Sequence, residues 1–462
     1  MTHESRSALT LSVVTQTPAV IFRSWSPERE AKGTAGEVDL GEMKEDVDYY
    51  FPPSGLTRTV LPFLRWAFDR QELEESVWVS LNRDAPRNAR LGSIRLKFVA
   101  VESSLAPGYG ELKESLWLLF HDVPHPDEEM ERIWEECLGD YHGVNRALAE
   151  AVEEVEREVD PDVYYVHDFQ LTPLASKLRV LKPKLFRWHI PFTETSLRYE
   201  RVCNPLVELI NQYDAVVVST RRYSENMRRA GVSVPTHVLY PYLDRSQYRE
   251  PDPLDVKQVS ERLGLGDEDR VVLVVARMDP IKGQDRAVKA MRGVIRSVDS
   301  AKLVLVGDGS FSSSRSGLAL PKGERWRASL MQLTQELGLE GRVILAGYLS
   351  SSELRAMYSR ADVVLLPSLV EGFGLAVIEG WFYRKPVVVS RSAGVAELVR
   401  EGWNGFTYDP DDVDALAELL AKLLSDEELA ERMGSNGYET AEQCTVEAGA
   451  RREMEIVREV SG

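Results

Sequence analysis

An α/β chain carrying two doubly wound parallel sheets is what this sequence predicts, on three observations. Short apolar runs rich in β-branched residues recur along it, with helical patterns between them. The runs are continuous rather than alternating, as strands covered by helices on both faces should be. One polar, turn-rich stretch, PYLDRSQYREPDPLD at Pro241–Asp255, divides them into two sets and reads as an interdomain hinge.

In the first set the expected strands are Leu9–Thr15, Val77–Leu81, Ile94–Val101, Val163–Val166, Leu185–Ile190 and Ala215–Ser219. The second set is Val271–Ala276, Leu303–Val306, Val343–Ala346, Val363–Leu366 and Val387–Val389. The intervening helices show a 3.6-residue period. In Val144–Val159, for example, Val144, Ala147, Leu148, Ala151, Val152, Val155 and Val159 share one stripe and glutamates occupy the rest. Thr57–Phe68 is a second helical run, and acidic amphipathic helices fill Val413–Val460. The expected domains are 1–243, 257–435 and a C-terminal helix within 436–462 that packs back on the first. Two Rossmann-like domains joined by one hinge would face a central cleft at the carboxyl ends of their strands. The Ser/Gly-rich stretch Gly309–Gly323 reads as either a mobile active-site loop or a surface insertion.

Composition narrows the function. Of 462 residues, 43% are hydrophobic and 28% charged, which excludes a disordered chain. A formal net charge of −18 argues against nucleic-acid or anionic-membrane partners, yet leaves room for a small anion held by a few placed cations. Cys137, Cys203 and Cys444 are odd in number and far apart, so no disulfide framework or zinc knuckle is read. Without an 18-residue apolar run or a signal-like start, a cytoplasmic setting is expected.

The chemistry-bearing motifs of the second half converge on a nucleotide sugar. Ala276-Arg277-Met278-Asp279-Pro280-Ile281-Lys282-Gly283 follows an apolar strand and precedes a helix, so Arg277 and Lys282 can supply two cations to a diphosphate. Val306-Gly307-Asp308-Gly309 is another strand running into a glycine turn. Ser368–Gly380 holds Glu371-Gly372-Phe373-Gly374-Leu375 and, four residues on, Glu379. Free N–H groups near Gly374 and Leu375 at a helix start form an anion site, and the two glutamates are acceptors for sugar hydroxyls.

The E-G-F-G-L-x-x-x-E arrangement with the upstream R-x-D-x-x-K-G resembles retaining GT-B glycosyltransferases of the glycogen-synthase-like and sucrose-synthase-like group, over roughly Asp269–Asp409. That resemblance implies that Arg277 and Lys282 hold the donor diphosphate, Glu371 the transferred sugar and Glu379 the ribose. Gly372, Phe373, Gly374 and Leu375 would line the donor site.

The first half differs in character. Pro53-Ser54-Gly55-Leu56 precedes a helix, and Tyr109 and Trp117 belong to an aromatic cluster with His121. His167, Asp168 and His189 each follow a strand. Ser54-Gly55-Leu56, Trp117–His121, Val144–Ala149, His167–Leu171 and His189–Phe192 resemble trehalose-6-phosphate synthases over roughly Ser54–Met227. The resemblance implies that Tyr109, Trp117 and Asp168 meet the acceptor glucose with His167 nearby, that Gly55 approaches the donor, and that His189 lies beside the transferred glucosyl unit. One departure matters. The first strand ends Val13-Val14-Thr15-Gln16-Thr17-Pro18, without the cation that a phosphorylated acceptor requires. Arg23 and Arg315 are the candidate substitutes. The hybrid resembles trehalose glycosyltransferring synthases, which join a nucleotide-activated glucose to free glucose.

The expected reaction is a retaining transfer with the leaving diphosphate as base, His189, Glu371, Arg277 and Lys282 at the reacting centre, and no covalent carboxylate intermediate. No tightly bound cofactor or metal is expected; nucleoside diphosphate glucose and glucose are substrates, with Mg2+ at most a stimulant. The nucleobase and the oligomeric state stay open, a homodimer being one option. Competing readings are a synthase acting on glucose 6-phosphate, a nucleotide-sugar epimerase, a pyridoxal-phosphate phosphorylase and a non-catalytic sugar binder.

Overall fold

The computed structural model describes residues 7–23, 25, 37–52, 55–123, 126–308 and 322–462. Arg315, Pro53, Ser54 and most of the Gly309–Gly323 stretch lie outside them. The chain forms two compact units, Met1–Leu243 with Val446–Gly462, and Asp244–Thr445. The expected boundary at 436 falls within the helix Glu427–Ala441, which belongs to the second unit; the chain re-enters the first at Val446.

The strands of the first unit are β1 (Leu9–Thr15), β2 (Ile21–Phe22), β3 (Val38–Asp39), β4 (Tyr49–Tyr50), β5 (Leu73–Leu81), β6 (Asn88–Leu91), β7 (Ile94–Val99), β8 (Val163–His167), β9 (Lys184–Trp188), β10 (Ala215–Val218) and β11 (Thr236–Val238). Nine of them form one sheet in the order β11-β10-β9-β8-β1-β5-β7-β6-β3. The parallel pairing expected from the sequence holds from β11 to β7, but the edge departs from it. β6 runs antiparallel to β7, with Leu91 opposite Ile94, because the two-residue turn Gly92-Ser93 is too short for a crossover.

Both faces of this sheet are buried, which is why its strands read as unbroken apolar runs. On β8, Tyr164 and Val166 pack into one core cluster, while Val163 and Tyr165 pack into another on the opposite face. The helix Asp127–Val159 covers the first face. Met130, Ile133, Trp134, Cys137, Tyr141, Val144, Leu148, Val152 and Val155 form its buried stripe, and Asp127–Glu129 suit the positive end of its dipole. The helices Gly55–Asp69 and Val446–Ser461 supply the second face with, among others, Phe63, Leu64, Met454 and Val457.

The second unit holds β12 (Arg270–Val275), β13 (Ala301–Val306), β14 (Val343–Gly347), β15 (Val363–Leu366), β16 (Val387–Ser390) and β17 (Phe406–Tyr408), all parallel, in the order β14-β13-β12-β15-β16-β17. β17 is too short to stand out in the sequence. The helix Gln284–Ser297 buries Ala287, Val288, Met291 and Val294 on this sheet. Among the described residues, no helix is long and apolar enough to cross a membrane.

The C-terminal helix approaches its neighbours closely. A Cβ on Gly449 would lie 2.0 Å from Cδ1 of the buried Tyr242 ring. Gly449→Ala is therefore expected to cost about 1–3 kcal/mol by overpacking, measured as a lowered midpoint in chemical denaturation. An unchanged midpoint would mean that the ring yields freely.

Candidate active site

Parallel pairing brings the loops after neighbouring strands together. In the second unit β12 and β15 are adjacent, so the loop carrying Lys282 meets the loop carrying Glu371. Asp279 caps the short turn Pro280–Lys282, and Leu369 N–H donates to the Ile281 carbonyl at 2.8 Å. Gly283 has φ +68°, and a Cβ there would stand 2.0 Å from the Pro367 carbonyl oxygen, so only glycine lets these loops touch. The outcome is an ion pair: Lys282 Nζ lies 2.6 Å from Glu371 Oε2, with Lys282 only 9% exposed. Ser368 Oγ donates to the same oxygen at 3.4 Å.

Gly372, Phe373 and Gly374 are buried behind Glu371, and Leu375 is half-buried at the start of the helix Leu375–Phe382. Gly374 caps that helix with φ +111°; a Cβ would strike Leu366 Cδ2 at 2.5 Å. Glu379, one turn further, is 4% exposed and accepts from Tyr248 Oη at 2.9 Å and Tyr358 Oη at 2.5 Å. No local pattern singles out these tyrosines, which lie 131 and 21 residues from their partner. Arg277, two residues past β12, is exposed, and its carbonyl accepts from Gln284 Nε2 at 2.7 Å. The turn after β13 packs alongside, Met278 N–H donating to the Asp308 carbonyl.

In the first unit β8 and β9 are neighbours, and their ends carry His167, Asp168 and His189. His167 is fully buried and its Nδ1 lies 3.0 Å from His189 Nε2, the rings nearly parallel. Burial, the other imidazole and Arg187 hold His167 well below the usual histidine range; burial and Arg187 do the same to His189. Both rings are thus neutral near pH 7. Asp168 adopts φ +77° and accepts from Phe169 N–H at 2.9 Å, from the His189 backbone and from the Gln170 side chain. Burial outweighs these bonds and pushes its carboxyl up to about 6.

Tyr109 is buried, stacks on Tyr141 and donates to Gln16 Oε1 at 3.0 Å. Tyr141 donates to the Phe169 carbonyl, and Asn145 Nδ2 donates to the Tyr141 and Gln170 carbonyls at 2.9 and 3.1 Å. One helix thereby fixes the loop that holds Asp168. Trp117, near the end of the helix Ala106–Phe120, is half-buried and stacked on the capping residue His121, with centroids 3.9 Å apart. Gly55 opens the helix Gly55–Asp69. Arg23, a candidate phosphate partner, lies over the Tyr50 ring.

Sequence reasoning missed the groups beneath the histidines. Arg187, 1% exposed, is ion-paired to Glu453 of the C-terminal helix, also 1% exposed. Tyr165 donates to Glu453 Oε1 at 2.6 Å and Tyr242 to Oε2. A charged residue inside the apolar strand Leu185-Phe186-Arg187-Trp188 was the available signal, but nothing local points to a partner 266 residues away.

Residues 255–440 match the family model of glycosyl transferases group 1, and the fold is that of GT-B glycosyltransferases. Residues 119–225, which carry His167, Asp168 and His189, match the model of the trehalose synthase N-terminal domain, so the chain joins a domain of that kind to a group 1 glycosyltransferase domain. A trehalose synthase of Thermococcus litoralis is 25% identical over 321 residues, 69% of this chain and 73% of that one. A GDP-mannose-dependent alpha-(1-6)-phosphatidylinositol monomannoside mannosyltransferase of Mycobacterium tuberculosis is 31% identical over 216 residues, 45% of this chain and about half (52%) of that protein's length. The crystal structure of an alpha,alpha-trehalose 6-phosphate synthase from Burkholderia multivorans superposes with a TM-score of 0.75 at 18% identity, covering 98% of this chain and 97% of that one.

The raised Asp168 carboxyl has a consequence for stability. The folded state holds its proton more tightly than the unfolded chain, so ionised Asp168 costs stability above pH 6, and the cost fades as pH falls towards 4. Asp168→Asn, which also tolerates the positive φ better, is expected to stabilise the protein by about 1–2 kcal/mol at pH 7. In thermal melts across pH 4–8 the gain should shrink on the acid side; a destabilised variant at pH 7 would refute this reading.

Proposed function

We propose that the protein is a retaining α-glucosyltransferase that moves glucose from a nucleoside diphosphate glucose to free glucose, forming trehalose. The Lys282–Glu371 pair beside the helix start at Gly374 is the observation that carries the donor half. Lys282 has three N–H donors and spends one on Glu371, leaving two for a diphosphate, while Arg277 and the backbone N–H groups at Gly374 and Leu375 add positive character. Glu371 would accept from the sugar's hydroxyls and Glu379 from the ribose. The departing diphosphate, steadied by these donors, would take the acceptor hydroxyl's proton on the face it leaves. In this reading Asp168, Tyr109 and Trp117 meet the acceptor, and neutral His189 lies beside the transferred glucose.

Free glucose is favoured over glucose 6-phosphate by the end of β1. Among the described residues Gln16 stands there, tied to Tyr109, where a phosphate would need a cation, and Arg23 lies over Tyr50; Arg315, the other candidate, is outside them. The N-terminal-domain match supports trehalose as product.

The test incubates the intact chain with UDP-, ADP- and GDP-glucose and either glucose or glucose 6-phosphate. Free trehalose from glucose alone is expected. Exclusive use of the phosphorylated acceptor would overturn the acceptor assignment, and donor consumption without any acceptor would favour an epimerase. Glu371→Gln and Lys282→Ala should each lower kcat/KM by about 10²–10³-fold, without loss of the folded structure by circular dichroism.

A further inference from the structure

Directly across the β8–β9 ladder, His167 faces Arg187. Residues two apart on a strand share a face, as do ladder partners. Tyr165, His167 and Arg187 therefore point to the same side of the sheet, and His189 continues that side past the strand end. It is the side covered by the C-terminal helix, through Met454 and Val457. The guanidinium that influences both imidazoles is thus held from behind by a carboxylate delivered by the last helix of the chain.

We propose that Glu453 and Arg187 are a positioning pair for His189: the C-terminal helix pins the guanidinium under the His167–His189 couple and so holds the two rings in one hydrogen-bonded arrangement and one pair of tautomers. This rests on the proposed function only in giving His189 a place beside the sugar. Neither residue touches substrate in this reading; each acts through the histidines. Glu453 accepts from Arg187, Tyr165 and Tyr242, so its charge is fully compensated in place. Arg187 Nη2 and His167 Nε2, both buried, make no hydrogen bond within the chain. A buried cation next to that imidazole favours a bare lone pair at His167 Nε2 over a proton. His167 then donates from Nδ1 to His189 Nε2, and neutral His189 carries its own proton on Nδ1, a donor available to a sugar hydroxyl.

Among the described residues, the charged and titratable groups near the couple are Tyr165 and Asp168 from β8 and its end, Arg187 from β9, Glu453 from the C-terminal helix and Tyr242 from the segment after β11, while Tyr109 and Tyr141 interact with Asp168. Asp168, pushed up to about 6, also titrates on the acid side, so an activity profile alone would not separate it from the histidines.

The experiment follows the ring nitrogens of the seven histidines by 15N NMR across pH in the intact chain, with His167→Gln for assignment. In the wild type both rings should be neutral at pH 6, with His189 protonated on Nδ1; a charged ring there overturns the proposal without recourse to any variant. In Arg187→Gln/Glu453→Gln, which removes both charges and keeps hydrogen-bonding groups, protonation of the couple should begin about one pH unit or more higher. The acid limb of transfer should rise with it, and Arg187→Lys should restore the low value. A folded double variant with unchanged ring titrations would reduce the pair to a structural tie and refute the idea. The ring measurement needs no turnover, so failure of the proposed activity and failure of this inference are separately visible.

Discussion

Parallel strand pairing is the constraint on which the candidate site depends. In such a sheet every strand ends on the same edge, so loops far apart in sequence become neighbours whenever their strands are. β12 beside β15 turns an 89-residue separation into the Lys282–Glu371 ion pair. β8 beside β9 does the same for His167 and His189. Neither pair depends on local propensity; both depend on which strand inserts next to which. The glycines at 283 and 374 then let the loops close to within contact of Pro367 and Leu366, where any side chain would force them apart.

Electrostatics within each unit follow a common rule despite the net charge of −18. Charges that leave the surface do so in compensated sets: Lys282 with Glu371, Arg187 with Glu453, Lys97 with Glu154. An uncompensated buried ion would be costly, whereas a hydrogen-bonded pair is tolerated. Glu379 is sheltered in another way, by two tyrosine hydroxyls. The histidines avoid the cost by staying neutral. Asp168 is the member of the site that carries an unrelieved penalty, consistent with a group kept for chemistry rather than for stability.

The alternation of apolar runs and amphipathic helices, together with one turn-rich divider, determined the two-sheet α/β architecture, because burial on both faces leaves an unmistakable continuous pattern. The positions of Asp168, His189, Lys282, Glu371 and Gly374 at strand ends and a helix start were legible for the same reason, since strand boundaries are local. The antiparallel β6 and short β17 were not, being too brief to establish a period. Tertiary structure alone decided the partners: that Lys282 meets Glu371, that Tyr248 and Tyr358 grip Glu379, that Gln16 rather than a cation meets Tyr109, and that the last helix returns Glu453 to Arg187. Strand order is set by the global minimum of burial, and a one-dimensional pattern carries no record of which side chains will meet, even where, as for the last helix, the return itself was expected.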